Sequence, residues 1–278
     1  MRPAGHSLSC ASPTQSGNHV ALITQARDLK RRKARERTGC FVAEGVRAVE
    51  ELLRSPLEVQ GVLVSPQLST TPRGVALRAL LAGRAEVAEV DDADFATAAD
   101  TDSPQGVLAI ATIPARTWDA VPSADPLRVL VLDAVQDPGN VGTMLRTAAA
   151  LGAAAVASLP GTVDLWNAKV VRSAMGAHFT HPAFATSWQD LDAWRQAHQV
   201  SLWGADAHGA ALEPNPAGLP SRLALVVGNE GGGLTAEARG RIERAVALPI
   251  ADVESLNVAV AAGILLYALR PAAAGRGE

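Results

Sequence analysis

From Leu127 to the C-terminus, short apolar runs alternate with stretches of helical periodicity, and few folds accommodate that pattern. The runs typical of buried strands are LRVLVLDAV, AAAVASL, HPAFAT, VSLWGAD, RLALVVG and AVALPI. Helical stretches such as NVGTMLRTAAALG and NAKVVRSAMGAHF separate them. Regular alternation of this kind predicts a parallel sheet with helices on both faces, in which ligands bind beyond the carboxyl ends of the strands.

The chain before this region has a different organisation and predicts a smaller α/β unit at residues 19–113. It contains a basic helix at TQARDLKRRKARERTG, and FVAEGVRAVEELLRS continues into a second, amphipathic helix. Short β-like runs, VQGVLVS, AEVAEV and GVLAIATI, are scattered between them. Pro114, Pro122 and Pro126 then lie close together, as in linkers between compact units. We therefore assign residues 114–126 to a linker and residues 127–278 to the second unit.

The composition indicates a globular protein outside the membrane. With 278 residues, 48% of them hydrophobic and 19% charged, the chain is long enough for two domains with separate cores. The most apolar segment, Val258 to Leu269, is too short to cross a bilayer. Residues 1–18 lack the apolar core of a signal peptide and are predicted to form a disordered tail. The two cysteines, Cys10 and Cys40, fit neither a metal site nor a disulfide framework, which favours a reducing cytoplasm.

Positive charge is concentrated in one short run, although the net charge of −3 argues against a uniformly basic nucleic-acid-binding protein. Between residues 27 and 37, seven basic residues face two acidic ones. One interpretation is a solvated helix face. The other is phosphate contact, because an acidic protein gains little attraction to a polyanion unless its cations are clustered. The residues predicted to contact RNA are Lys30, Arg31, Arg32, Lys33, Arg35 and Arg37.

Three stretches at strand-to-helix turns are rich in small and polar residues: LDAVQDPGNVGTMLRTAAALGA, LALVVGNEGGGL and ESLNVAVAAGILLYALR. The glycines beside Asn229 and Glu230 either allow a ligand to approach the backbone or form a purely structural turn. No phosphate loop and no G-x-G-x-x-G follows a strand, so a nucleotide-binding oxidoreductase is excluded. Ser255 is a good helix N-cap, and Ser-x-Asn there could serve capping alone. Because small and polar residues recur at all three strand-to-helix turns, the three turns could line one pocket.

These stretches resemble, in order, the three motifs of the SpoU/TrmH branch of the SPOUT methyltransferases. The residues that carry the resemblance are DPGNVGTMLRTA, VVGNEGGGL and SLNVAVAAGILLY. In addition, FVAEGVRAVEELL and DTDSPQGVLAIA look like the substrate-binding domain that precedes the catalytic domain in ribosomal-RNA members of the family. The resemblance covers nearly the whole chain from about Asn18 onward.

The resemblance implies an α/β fold in which the C-terminal segment knots the sheet of the methyltransferase domain into a deep trefoil. A smaller α/β domain, similar to an RNA-binding ribosomal-protein fold, is expected to precede it. The implied cofactor is S-adenosylmethionine, the implied reaction is methylation of a ribose 2′-hydroxyl in RNA, and the implied assembly is a homodimer with the active site at its interface. The separate N-terminal domain favours 23S rRNA as the substrate. Transfer RNA is one alternative, and an RNA-binding module without catalysis is another.

The motif match also identifies individual residues. Those expected to carry the chemistry are Asn140, Arg146, Glu230, Ser255 and Asn257. Those expected to hold S-adenosylmethionine through their backbone are Gly228, Leu248, Ile250 and Leu256. Before Ser255 the chain has ADVE, and by the resemblance this loop is one residue shorter than in the family and lacks the glycine that family members often carry there. No metal site is predicted, because His178 and His181 stand three apart without a further ligand nearby.

The resemblance gives Arg146 a central part in methyl transfer. A guanidinium keeps its proton in proteins, so Arg146 is expected to stabilise the developing alkoxide or a neighbouring phosphate rather than to act as a base. Asn140 is expected to orient that arginine or the ribose, and Glu230 to hold donors such as Asn257 in place. Removal of the hydroxyl proton is assigned to a phosphate oxygen or to water.

Overall fold

In the computed structural model, which describes residues 15–213, 216–253 and 255–270, the chain forms two sheets flanked by helices. Most of the predicted N-terminal tail, residues 1–14, lies outside the described residues. Its last four positions, residues 15–18, already belong to a helix that runs to Asp28. Among the described helices, none is long and apolar enough to cross a membrane.

The first unit is a four-stranded sheet with helices around it. Its helices are Gln15–Asp28 (α1), Arg32–Thr38 (α2), Val46–Arg54 (α3), Pro72–Leu81 (α4) and Asp92–Ala98 (α5). Its strands are Cys40–Glu44 (β1), Val59–Val64 (β2), Val87–Glu89 (β3) and Val107–Thr112 (β4). The strand order is β1-β4-β2-β3, in which β4 runs antiparallel to β1 and β2 while β2 and β3 are parallel.

Two predictions about the start of this unit are corrected. The predicted basic helix is divided in two, because Arg31 adopts an extended conformation between α1 and α2. The stretch FVAE, predicted to lead into a helix, forms most of β1 and is buried at every position. Gly45 separates that strand from α3 with φ of 99°, a value that favours glycine.

The second unit is a six-stranded, entirely parallel sheet. Its strands are Leu127–Leu132 (β5), Ala155–Ser158 (β6), Ala183–Ala185 (β7), Ser201–Ala211 (β8), Arg222–Val227 (β9) and Arg244–Ala247 (β10). Its helices are Pro138–Ala150 (α6), Ala168–Ala174 (α7), Ala177–Thr180 (α8), Trp188–Ala197 (α9), Ala236–Arg241 (α10) and Val258–Leu269 (α11). The strand order is β10-β8-β9-β5-β6-β7. Each predicted apolar run overlaps one of these strands, and the predicted α/β architecture is confirmed.

Each unit has an apolar core of its own, and a further core is shared between the two units. A single cluster of buried apolar side chains includes Phe41 of β1 together with Trp166 and Phe179 of the second unit. The ring of Phe41 lies 4.5 Å from that of Trp166 and 5.6 Å from that of Phe179, measured between centroids. Aromatic contacts at this range stabilise beyond their buried area, so the first unit packs firmly on the second.

The segment predicted as a linker is fastened to the second unit. Arg116 donates hydrogen bonds to the carbonyl oxygens of His178, Phe179 and His181 at 2.9, 2.8 and 2.7 Å, which closes the end of α8. The indole of Trp118 stacks on Trp194 with centroids 4.2 Å apart. These contacts restrict the connection, because a guanidinium that is bonded to three carbonyls cannot move without leaving them unsatisfied.

Candidate active site

The order of the strands fixes where a ligand can bind. From β5 the chain first proceeds to β6 and β7 on one side, and later returns to β8 and β9 on the other, so the connections diverge between β5 and β9. In parallel sheets the crevice beyond such a point is the usual ligand site. Here the loops after β5 and β9 are joined, since Asp133 accepts hydrogen bonds from the backbone of Thr235 at 2.7 Å and from its hydroxyl at 3.2 Å.

The glycine-rich loop after β9 is closed on itself and held against the β5 loop. Asn229 and Gly233 exchange two backbone hydrogen bonds of 2.9 Å, and the side-chain amide of Asn229 donates to the carbonyl oxygen of Ala134 at 3.0 Å. At Gly228 the two arms of the loop approach so closely that a Cβ would lie 2.3 Å from the carbonyl carbon and oxygen of Gly233. Only glycine fits there without moving the backbone.

Asn140, Glu230 and Asn257, one from each of the three polar stretches, form a chain of hydrogen bonds. The amide of Asn257 donates to Oδ1 of Asn140 at 2.9 Å, and the amide of Asn140 donates to Oε1 of Glu230 at 3.1 Å. The expectation that Glu230 positions Asn257 is thus refined, because Asn140 stands between them. The oxygen and the NH₂ group of the Asn140 side chain are both used in these hydrogen bonds. Asn140 makes no hydrogen bond to Arg146 in the described structure.

The carboxylate of Glu230 accepts hydrogen bonds from three N–H groups. Besides the Asn140 amide, it receives the backbone N–H of Asp137 at 3.1 Å and of Gln136 at 3.4 Å. Partial burial alone would raise the pKa of Glu230, but these hydrogen bonds favour the charged form and lower the pKa below its usual value. Glu230 is therefore ionised at neutral pH and ties the start of α6 to the glycine loop.

Glu230→Gln is expected to destabilise the fold at neutral pH by about 1 kcal/mol after solvent screening, because an amide supplies only one neutral acceptor to these donors. A carboxylate with a lowered pKa stabilises the fold above its unfolded pKa and loses that contribution as the pH falls through its folded pKa. The difference in the free energy of unfolding between the variant and wild type should therefore become smaller in acid. Urea unfolding at neutral and acid pH measures both.

Glu237→Gln is the matched control, since Glu237 is exposed and, among the described residues, pairs only with Arg241 on the surface of α10. It should stay within about 0.5 kcal/mol of wild type. Equal stability of Glu230→Gln and wild type at neutral pH would contradict the claim that hydrogen bonds to the ionised Glu230 stabilise the fold. A difference in stability that persists in acid would contradict it as well.

A cleft opens beside the glycine loop and contains the four residues expected to hold the cofactor. Its lining includes Gly228, Leu248, Ile250 and Leu256, and it encloses about 700 Å³ of empty space that is partly open to solvent. Glu230 and Ser255 also border it, whereas Asn140 and Arg146 do not. The second and third polar stretches therefore line this cleft together, and the first is attached to it through the Asn140 hydrogen bonds.

The segment before α11 differs from the sequence-based expectation at the helix cap. Asn257, not Ser255, is the N-cap, since its Oδ1 accepts from the backbone of Ala259 at 2.9 Å and of Val260 at 3.3 Å. Ser255 is exposed at the mouth of the cleft. In the loop before Ser255, Asp252 takes a φ of 61°, and aspartate is among the few non-glycine residues that tolerate this conformation.

Arg146 lies apart from the hydrogen-bonded chain. It is six residues after Asn140 on α6, which places it roughly 9 Å further along the axis and about 120° around it. Its side chain is exposed, and among the described residues it has no hydrogen bond or ion pair. It borders a separate hollow with Thr143, Ser173 and Tyr267, between α6 and α11.

The basic run at residues 30–37 is not a uniform cationic surface. Arg35 is 3% exposed, and its guanidinium pairs with Asp164 of the second unit at 2.7 Å and donates to the carbonyl oxygen of Leu29 at 2.7 Å. Arg35 thus joins the two units, and its predicted contact with RNA is corrected because its donors are already used inside the protein. Lys30 donates to the carbonyl oxygens of Thr97 and Ala99 at 3.1 and 2.6 Å.

The remaining cations of the run are exposed. Arg31 pairs with Asp28 and Arg32 with Glu36, whereas Lys33 and Arg37 have no side-chain partner within the described part of the chain. Exposed pairs of this type are weak and exchange readily with an anion. Contact with RNA by these four stays a prediction.

Two residues that position the site, Asp133 and Asp137, were not predicted from the sequence. Asp133 is 1% exposed and binds Thr235, and Asp137 caps α6 by accepting the backbone N–H of Asn140 at 2.7 Å. An aspartate followed by Pro138 at the start of a helix is a capping signal, so Asp137 could have been found. No local signal distinguishes Asp133, because its partner lies about a hundred residues away.

Two family profiles match the chain. Residues 127–267 match the SpoU rRNA Methylase family, and residues 21–109 match the MRM3-like substrate binding domain. Among curated proteins, the 23S rRNA (guanosine(2553)-2'-O)-methyltransferase RlmP of Bacillus subtilis is 37% identical over 87% of this chain and 93% of its own length. The 23S rRNA (uridine(2479)-2'-O)-methyltransferase of Streptomyces viridochromogenes is 30% identical over 89% of this chain and 88% of its own length.

Solved structures share the fold. The SpoU methyltransferase AviRb from Streptomyces viridochromogenes, in complex with the cofactor AdoMet, has a TM-score of 0.81 and 27% identity, covering 90% of this chain and 96% of its own. The AdoMet-bound rRNA methyltransferase from Sinorhizobium meliloti has a TM-score of 0.77 and 27% identity, covering 90% of this chain and 94% of its own.

Proposed function

Because the chain belongs to the SpoU rRNA Methylase family, we propose that it methylates the 2′-hydroxyl of one ribose in 23S rRNA, with S-adenosylmethionine as the methyl donor. The observation that carries this proposal is the meeting of three separate segments at the candidate site. The loop after β5, the glycine loop and the segment before α11 are joined there through Asn140, Glu230 and Asn257.

The lining of the glycine-loop cleft suits S-adenosylmethionine. The absence of a side chain at Gly228 exposes backbone in its wall, and Leu248, Ile250 and Leu256 supply an apolar surface suited to an adenine ring. When bound, the cofactor supplies an electrophilic methyl group on a sulfonium. Glu230 and Asn140 keep the loops that form the cleft at a fixed separation.

Arg146 is suited to stabilise negative charge during methyl transfer. An exposed guanidinium without a partner among the described residues offers five N–H donors, and it stays protonated at any physiological pH. Aimed at the ribose oxygen or a flanking phosphate, it would stabilise the oxyanion as the proton leaves. Such charge stabilisation accounts for the role of Arg146 without making it the base.

The separation of Arg146 from the cleft supports a site that is shared between two copies of the chain. One face of α11 exposes Val260, Ile264 and Tyr267, with 51, 45 and 52% of their surfaces accessible, at the spacing of one helix face. We name this surface, with Arg146 on the adjoining α6, the α6–α11 face. In the proposed homodimer, two such faces meet, and Arg146 of one copy reaches the cleft of the other.

Ile264→Asp is expected to convert the protein from a dimer into a monomer at micromolar concentration, because a carboxylate would be buried without a partner in the middle of the α6–α11 face. Light scattering coupled to gel filtration measures the mass. Val75→Asp is the matched control, since Val75 is 52% exposed on α4 of the first unit. A monomeric wild type, or a variant that stays dimeric, would rule out this face as the interface.

A knotted chain is part of the proposal. After the edge strand β10 ends at Ala247, the chain reaches Asn257 within ten residues, and Asn257 bonds to Asn140 beside the central strands. This return path and the glycine loop line the same cleft. We infer that the return segment threads through that loop to form the trefoil expected for the family.

The proposal also keeps the division into residues 19–113 for RNA binding, 114–126 for the connection and 127–278 for catalysis. The match of residues 21–109 to a substrate-binding profile supports it. A free, buried thiol at Cys40 is compatible with action in the reducing cytoplasm, where ribosomes assemble.

Methyl transfer from labelled S-adenosylmethionine to unmodified 23S rRNA tests the function directly. A 2′-O-methyl group blocks alkaline cleavage at its own nucleotide, so a single gap in the hydrolysis ladder should appear. Total tRNA, offered in parallel, separates the two substrate classes. If only tRNA is labelled, the substrate is tRNA and not 23S rRNA. Cofactor binding without label in either RNA would indicate an RNA-binding module without catalysis.

A further inference from the structure

A groove between the two units has no part in the methyl-transfer site. Its rim is formed by the start of α3, the start of α4, the loop between α5 and β4, and α7, and it encloses about 890 Å³ of empty space. We name it the inter-unit groove and define it by Arg47, Arg73, Thr101, Ser103, Gln105 and Arg172. Three guanidinium groups, the hydroxyl of Ser103 and the amide of Gln105 supply hydrogen-bond donors to its lining.

The three arginines retain donors that no described protein group uses. Arg47 is exposed and makes no hydrogen bond or ion pair within the described residues. Arg73 binds Glu50 through Nε and Nη2, which leaves Nη1 without an acceptor in the part of the chain that the structure describes. Arg172 contacts one oxygen of Asp100 at 3.3 and 3.4 Å, distances at the long end for a charged pair.

Two carboxylates near the groove, Glu44 and Glu50, are engaged with the protein. Glu44 is 6% exposed and accepts the backbone N–H of Asp100 at 2.7 Å together with the hydroxyl of Thr101. Glu50 is held by Arg73. On the same wall, Gln105 accepts the backbone N–H of Val46 at 2.8 Å, which fixes the loop before β4 against α3. The groove is therefore preformed, and Asp100 is the carboxylate that competes for Arg172.

Helix α7 connects this groove to Arg146. Arg172 borders the groove, and its neighbour Ser173 borders the hollow that also contains Arg146. The helix packs closely on α6 at Gly142, where an added Cβ would lie 2.4 Å from Cβ of Ser173. A strand of RNA that passed over α7 would thus meet Arg172 immediately before or after Arg146.

We propose that the inter-unit groove binds backbone phosphates of the RNA substrate next to the nucleotide that is methylated. Guanidinium forks match phosphate oxygens, and hydroxyl and amide donors complete such sites. Because the groove is built from both units, an RNA strand held there is positioned relative to the first unit and to Arg146 at once. This inference rests on the proposed function, since it assigns a second RNA contact to the same enzyme.

The test compares RNA affinity at several salt concentrations for wild type, Arg47→Gln and the double variant Arg47→Gln/Arg172→Gln, with unmodified 23S rRNA transcribed in vitro as the probe. The double variant should bind about tenfold more weakly at physiological salt, and its log–log salt slope should fall by about 0.7 for each phosphate of single-stranded RNA that it no longer neutralises. Arg84→Gln is the control, because Arg84 is exposed in the same unit and borders neither the groove nor Arg146.

Asp100→Asn provides a change in the opposite direction, which misfolding cannot imitate. Without the competing charge on Arg172, the variant should bind the same RNA several-fold more tightly than wild type. Cofactor affinity, measured by calorimetry, should be unchanged in every variant, since none of the altered residues borders the cleft. Affinities and slopes equal to wild type in the double variant and in Asp100→Asn would overturn the inference.

Different results would contradict the role of the inter-unit groove and the proposed function. A wild-type protein that methylates 23S rRNA while the double variant binds it normally would remove only the role of the groove. A wild-type protein that neither binds nor methylates this RNA would remove the proposed function, and the inference with it.

Discussion

Gly228→Ala is expected to weaken S-adenosylmethionine binding by about a hundredfold, the equivalent of about 3 kcal/mol of overpacking. The added Cβ would lie 2.3 Å from the carbonyl carbon and oxygen of Gly233 and 2.4 Å from the nitrogen of Leu234. These are backbone atoms, so the conflict cannot be relieved by a side-chain rotation. The two arms of the glycine loop must separate, and the wall of the cleft moves with them.

Isothermal titration with S-adenosylmethionine measures the effect, and Gly240→Ala is the control. Gly240 lies on α10, where an added Cβ meets nothing within 4 Å. Alanine there should leave cofactor affinity unchanged and stabilise the helix by up to about 1 kcal/mol. Near-normal affinity in Gly228→Ala would show that the cofactor does not depend on the shape of this loop.

Arg146→Ala is expected to slow methyl transfer by about 10²- to 10³-fold while cofactor binding stays intact. The guanidinium is exposed, makes no hydrogen bond or ion pair in the described structure and does not border the cleft, so its removal should alter neither folding nor cofactor affinity. Single-turnover transfer of labelled methyl groups to 23S rRNA isolates the chemical step. Arg146→Lys should recover only part of the rate, because a lysine supplies charge without the fork of donors.

Mixing two inactive variants determines which copy supplies Arg146. In a random mixture of Arg146→Ala and Gly228→Ala chains, half of the dimers are mixed. If Arg146 acts across the interface, each mixed dimer has one intact site, and the mixture should regain about a quarter of wild-type activity. If Arg146 serves its own chain, no site in the mixture is intact, and activity should stay at the level of the separate variants.

The alternation of strands and helices in the second unit could be predicted from local pattern alone. Parallel strands are buried on both faces, so each appears as a continuous apolar run, and β5 and β9 are almost entirely buried. Local pattern did not identify β1, because FVAE directly precedes an amphipathic helix and its residues were predicted to lead into that helix. The positive φ of Gly45, which divides strand from helix, marks the boundary only once the backbone is known.

The candidate site was predictable as a set of residues but not as an arrangement. The family motifs identified Asn140, Glu230 and Asn257, yet the direct bond between the two asparagines joins positions 117 residues apart. The cap of α11 was assigned to Ser255, two residues too early, because both serine and asparagine are good caps and the choice between them depends on where the chain enters the helix. The catalytic roles of these residues stay predictions until the variants are measured.

The sequence by itself determined the fold class, because periodicity and turn residues are local properties. The resemblance of its three motifs to a known family implied the family and the cofactor. Tertiary structure alone decided which charges are available. Arg35, one of six cations in the predicted RNA-binding run, is buried against Asp164, whereas Arg47, Arg73 and Arg172 from three separate helices meet in one groove. The reason is physical, since the energy of a charge depends on its solvent and its neighbours in space, and neither follows from its neighbours along the chain.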